Sequence, residues 1–357
     1  MRGAMGRGAQ RLRRALSGFG AWARAWARAW ASALAGAVLL AATIAPPAFA
    51  AEDISSGLKT LQQRDELVQS IGWKLITGNA PFCTDTRPAI GLLLQDVAAF
   101  GRPDAVRRAM NLSGDIVVQA RAAGSPVEQA GLPVFAEVLA IDGQSMLDLP
   151  AAGKERWQRL AELHRKLDTA LVARGEVEIA WRSAGNAPNV STLVGRTACA
   201  TNFEVIAGSR RVSANGVRVA IGSKFTGFTY PEELVAAAIA HELAHNLLGH
   251  PAWLDANGRS QSRIRLTERE ADRLMPWLLA NGGYDPAAGE RFMRTWGPGN
   301  DGGVFRGRTH DGWDERAGFI AAELPLIQRS KIVRGAADWA SDFVRDIPPA
   351  AYSSPIE

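Results

Sequence analysis

Apolar residues recur at helical spacing in the first and last parts of the chain and in short strand-like runs between them. Over residues 54–77, Leu58, Leu61, Leu67, Val68, Ile71, Leu75 and Ile76 form one stripe, and Gly78-Asn79-Ala80-Pro81 ends the predicted helix. Short apolar runs then predict strands at 89–94, 115–120 and 134–141, the last turning at Asp142-Gly143. A helix over 154–173 and strands at 177–181 and 217–221 follow. Thr229-Tyr230-Pro231-Glu232 reads as a capping box with proline in the first turn, so a helix should start there. Leu234, Ala238, His241, His245 and Leu248 fall on one stripe of it, which makes a face carrying two histidines continuous with a buried face. A further helical segment carries residues 267–272, and Pro276 should kink or end it. The pattern is α+β.

Length and apolar content suit two or three domains with ample cores. The formal charge of +5 changes meaning once it is located. Residues 1–50 hold seven arginines and no acid, so the remainder carries −2, and the basic balance is no sign of nucleic-acid binding. Those arginines precede an apolar run over 30–44 and then Pro46-Pro47-Ala48-Phe49-Ala50, the pattern of a secretory signal with cleavage expected after Ala50. Left uncleaved, the run would hold the protein at a membrane. Export places the only two cysteines, Cys83 and Cys199, in an oxidising compartment, where such a pair is expected to bridge.

The chemistry concentrates in His241-Glu242-Leu243-Ala244-His245. Two histidines four apart stack on one helix face, about 5–6 Å between Cβ atoms, a workable separation for sharing a zinc ion. Glu242 is placed to take a proton from a metal-activated water rather than to bind the metal. A third protein ligand is required, and His250, Glu268 and Glu270 are the downstream candidates. The metzincin pattern fails, because Leu248 and Pro251 stand where glycine and histidine belong. If 267–272 is helical, Glu268 and Asp272 share a face while Glu270 points elsewhere. Glu268 would then bind zinc, and Asp272 would accept the spare N–H of a ligand histidine.

At these residues the chain resembles the gluzincin family of CAAX prenyl proteases, HtpX and periplasmic quality-control peptidases. That family pairs H-E-x-x-H with E-x-x-A-D, matched here by Glu268-Arg269-Glu270-Ala271-Asp272 and followed by Gly283-Tyr284-Asp285-Pro286. Thr309-His310-Asp311, with Arg316 six residues after the histidine, resembles the family's Thr-His-Pro segment, with Asp311 in place of proline. The resemblance implies zinc, one ion per chain, held by His241, His245 and Glu268. It implies Glu242 as general base, His310 and Arg316 as catalytic groups at the metal site, either steadying the oxyanion or, for His310, occupying zinc's open position at rest, and His250 in a structural role. Residues 217–221 would form the edge strand of the cleft, its unpaired backbone aligning substrate. Separately, residues 124–132 running into Leu139-Ala140-Ile141-Asp142-Gly143 look like the centre of a bacterial PDZ domain, and Ile90-Gly91-Leu92 matches that fold's peptide-carboxylate loop. Phe135-Ala136 departs from the family's usual Gly-Asp.

The expected organisation is a signal peptide (1–50), a helix packing on the peptidase domain (51–85), a small β-rich PDZ-like domain (86–198), a mainly helical zincin (gluzincin) peptidase domain (199–346) and a flexible tail (347–357). The expected function is an exported, periplasmic zinc endopeptidase acting on misfolded or misassembled envelope polypeptides, with no nucleic-acid partner. The rival reading is a periplasmic chaperone or assembly adaptor that keeps the zinc fold with little turnover. A metal-storage protein is weaker still, since one such site offers no capacity.

Overall fold

The apolar stripe of 54–77 lies within one long helix, α1 (Phe49–Gly78), and what that helix touches sets the plan of the molecule. The computed structural model describes residues 49–150, 155–300 and 311–347. Residues 1–48, most of the signal-like segment with its apolar run, and the tail from 348 on lie outside the described residues, as does His310. No helix among the described residues is long and apolar enough to cross a membrane.

The β-rich part comprises β1 (Thr86–Ala89), β2 (Leu92–Asp96), α2 (Pro103–Met110), β3 (Ile116–Arg121), α3 (Pro126–Gln129), β4 (Glu137–Ile141), β5 (Gln144–Ser145), α4 (Trp157–Arg174), β6 (Glu176–Arg182), β7 (Asn189–Val194) and β8 (Arg196–Cys199). Its main sheet runs β2-β3-β4-β6-β7, all antiparallel, with β5 on β4. Leu163, Leu167 and Leu171, one helical stripe of α4, close a core over Leu94, Val118, Val138 and Ile179. The strand predicted over 89–94 is broken at Gly91, which takes φ +71°, and a Cβ there would lie 2.4 Å from that of Ser125. The chain therefore changes sheets at that residue: β1 pairs with β8 and β2 pairs with β3. The third strand starts at Glu137 rather than 134, because Phe135 adopts φ +61°.

The helical part follows: β9 (Asn202–Ile206), β10 (Val212–Ala214), β11 (Arg218–Gly222), α5 (Glu232–Leu247), α6 (His250–Asn257), α7 (Gln261–Asn281), α8 (Ala288–Asn300), α9 (Trp313–Arg334) and α10 (Trp339–Asp342). The histidine helix α5 packs across α7 and α8 in a second core with Trp277, Ile239, Leu243 and Ile320, which also takes in Val68, Ile71 and Leu75 of α1. α5 starts where expected but by other means. Pro231 sits at its N-cap with no side-chain cap, and the Thr229 hydroxyl turns back to the Thr226 carbonyl. Pro276 does not end α7, which continues to Asn281 in a fully buried setting where packing outweighs the lost backbone bond.

The three-stranded sheet has the order β10-β11-β9, and this corrects the expected cleft edge. β11, the strand foreseen at 217–221, is central, paired with β10 on one side and parallel β9 on the other. The edge belongs to β10, a three-residue strand (Val212-Ser213-Ala214) too short to register as a period in the sequence. Cys83 and Cys199 are disulfide-bonded where the β1–β8 ribbon meets the end of α1. The fold is mixed α and β, with separate helical and sheet regions, and residues 48–357 form one contact unit.

Candidate metal centre

α5 is buried on nearly every side, so the packing of the whole helix fixes where its two histidines stand. Facing them on α7, Glu268 and Asp272 stand one turn apart. His241 Nε2 lies 3.3 Å from His245 Nε2 and 3.3 Å from Glu268 Oε2, and His245 Nε2 lies 3.4 Å from Glu268 Oε1. For bonds of about 2.0–2.1 Å, tetrahedral geometry puts neighbouring ligand atoms about 3.3–3.4 Å apart. The three side chains thus form one face of a tetrahedron, and this group could hold a metal ion. Two imidazoles and a carboxylate are also a donor set that suits a divalent transition metal.

Each histidine is held from behind by a different set of groups. His241 Nδ1 lies 3.0 Å from Asp272 Oδ1, too far off axis for a well-aligned hydrogen bond. Arg316 grips Asp272 through both ends of its guanidinium, Nε to Oδ2 at 2.6 Å and Nη2 to Oδ1 at 2.8 Å. His245 Nδ1 lies 2.9 Å from His250 Nδ1, and His250 Nε2 lies 3.0 Å from Glu270 Oε2. Glu270 also accepts the backbone N–H groups of Asp346 and Ile347 at 2.6 and 2.8 Å, and Arg345 Nη2 at 3.1 Å. Gly249 makes this possible. At φ +70° it stops α5 and turns the chain so that α6 begins at His250, directly behind His245.

The charges follow from these contacts. Burial works against the charge of Asp272, but Arg316 and His241 outweigh it and hold the carboxyl below its ordinary range. Burial likewise opposes charge on Glu270, yet His250, Arg345 and the Ile347 N–H hold it at about 2. Without a metal, Asp272 and Glu268 overcome the burial of His241 and raise it to about 10, while burial drives His245 down to about 3.

The cluster opens into a cleft of about 720 Å³. Glu242 lines it beside the two histidines, β10 forms one wall, and Phe225, Phe292, Met293 and Trp296 form an apolar patch. Gly216 in the β10–β11 turn donates to Asn246 Oδ1 of α5 at 2.6 Å, which ties that wall to the helix carrying the ligands. Arg210, Arg211 and Lys224 stand exposed at its rim.

Of the residues singled out by sequence, His241, Glu242, His245, Glu268, Asp272 and Arg316 come together here. Ile90, Gly91 and Leu92 line a second cavity of about 350 Å³, walled by β2, α4 and β9. His164, on the same helix, lines it too, and burial lowers its pKa to about 4. Glu270, which helical geometry turns away from the ligand face, is bound to the site through His250. The pair had a signal in its spacing after H-E-x-x-H and within 268–272, but Arg345 had none. No protein-family model, curated protein sequence or solved structure matches the chain.

Proposed function

We propose that the protein is an exported zinc-dependent endopeptidase of gluzincin type, and the observation that carries this reading is the tetrahedral spacing of His241, His245 and Glu268 beside Glu242 in an open cleft. Zinc held there would act as a Lewis acid on the scissile carbonyl and lower the pKa of the attacking water. Glu242 takes the proton of that water and delivers one to the leaving amine. The free edge of β10 aligns the substrate by strand addition, and the apolar patch takes a large side chain. Arg316 holds Asp272, and through it His241, in place.

Glu242→Gln is the decisive variant. It should keep zinc, measured by elemental analysis of the purified protein, and lose casein hydrolysis by at least about a hundredfold. Undiminished hydrolysis would remove the general-base role, and a zinc-free, inactive wild type would leave only the chaperone reading. For the β-rich part we propose a PDZ-like function, the capture of polypeptide carboxyl termini in the groove between β2 and α4. Supporting it, the backbone N–H groups of Ile90 and Gly91 donate to no acceptor among the described residues. Ala161→Trp, which fills that groove from α4, should weaken cleavage of proteins with free apolar termini and spare a short generic peptide. Equal loss on both substrates would rule capture out.

A further inference from the structure

We infer that His250 and Glu270 are positioning residues that set the tautomer of His245, and that the carboxyl-terminal segment 345–347 thereby helps determine how tightly the cluster binds metal. The inference rests on the cluster being a metal site and is independent of whether that site cleaves peptides.

The hydrogens along the relay follow from its partners. Two ring nitrogens 2.9 Å apart, His245 Nδ1 and His250 Nδ1, share one hydrogen between them. To offer a lone pair to a metal at Nε2, neutral His245 must carry its hydrogen on Nδ1 and donate it to His250. His250 must then accept at Nδ1 and carry its own hydrogen on Nε2, facing Glu270 at 3.0 Å. Only an ionised carboxylate can receive that hydrogen while also accepting from Asp346, Ile347 and Arg345. His250 and Glu270 are fully buried, so no solvent molecule can stand in for either. Arg345 Nη2 additionally donates to the Leu248 carbonyl at 3.0 Å, which fixes the same segment to the end of the ligand helix.

Reversing one end of such a relay reverses all of it. In Glu270→Gln, the side-chain oxygen can keep the two backbone donors only by turning its amide nitrogen toward His250 and Arg345, whose Nη2 retains the Leu248 carbonyl as acceptor. His250 Nε2 must then accept, its Nδ1 must donate, and His245 must carry its hydrogen on Nε2, where the metal belongs. A side chain of the same shape would block the metal face without touching it.

The test is zinc affinity of the full chain, measured by chelator competition on metal-free protein whose melting temperature is recorded alongside. Glu270→Gln should weaken zinc binding about 10- to 100-fold. His250→Gln can still accept from His245 and donate to Glu270, so it should stay within a few-fold of wild type, whereas His250→Leu should fall with Glu270→Gln. Nitrogen-15 spectra of the zinc-loaded wild type should show the His245 hydrogen on Nδ1. If Glu270→Gln does not fold, the His250 pair and the spectrum still decide. Wild-type affinity in Glu270→Gln or His250→Leu, equal loss in both His250 variants, or a hydrogen on His250 Nδ1 in the loaded protein would overturn the relay. A wild type that takes up no zinc would overturn the metal site with it. An active Glu242→Gln would overturn the peptidase reading alone.

Discussion

Two of the regions that bury charged groups invite comparison, the metal cluster and the seam where α1 meets both sheets. At the seam, Asp65 of α1 accepts Gln119 Nε2 from β3 and the Val205 backbone N–H from β9, each at 2.8 Å. Burial raises its pKa to about 6, the larger effect over those two hydrogen bonds. A perturbed buried carboxylate beside a cavity is the usual signature of a functional group. Yet the atoms of Asp65 are spent on joining three elements, with no second titratable donor converging on them. At the cluster, the atoms facing the cleft are the ones left over after Asp272, Arg316, His250 and Glu270 have engaged the atoms behind. Perturbation marks both regions, and convergence on an open point separates them.

Opening the disulfide beside the seam should give the largest effect on stability and the least on metal. The Cys83–Cys199 bond spans a sequence separation of 116. Replacing both cysteines with serine should cost about 4–5 kcal/mol by chain entropy. Urea unfolding of the two proteins would measure this, and unchanged zinc affinity in the folded variant is expected. Next comes pH. The pKa of Asp65 is higher in the folded chain than in the unfolded one, so its contribution to stability is complete below about pH 4 and is lost as pH rises through about 6. Asp65→Asn removes that loss. It should melt higher than wild type at pH 7, by up to about 2–3 kcal/mol in stability, and show little advantage at pH 4. A pH-independent difference between the two would assign Asp65 no titration across this range.

The mildest effect is expected at the cluster. Asp272→Asn keeps the shape behind His241 but surrenders the charge that Arg316 and His241 share. Zinc affinity should fall about 10-fold, toward 100-fold at most, with activity falling only as far as zinc occupancy does. A fall in activity at full zinc occupancy would instead place Asp272 in the reaction itself.

Much of the site was legible along the chain because helices turn short spacings into shared faces. His241 with His245, and Glu268 with Asp272, are four-residue pairs that stack on whichever helix carries them, whatever that helix packs against. The long stripes of α1 and α5 were likewise visible in local pattern. Three things were not. β10 is too short to show a period, so the cleft edge was assigned to its neighbour. Pro276 pointed to a kink or an end, and the buried helix runs on past it to Asn281. Arg345 reaches Glu270 across 75 residues, and the seam ties Asp65 to Val205 across 140. Local spacing determines which side chains can face the same way. Which helices face each other, which strand is left at the edge, and what stands behind each imidazole are settled only when the two cores close, because those contacts join residues remote in sequence and carry no period that a linear reading could detect.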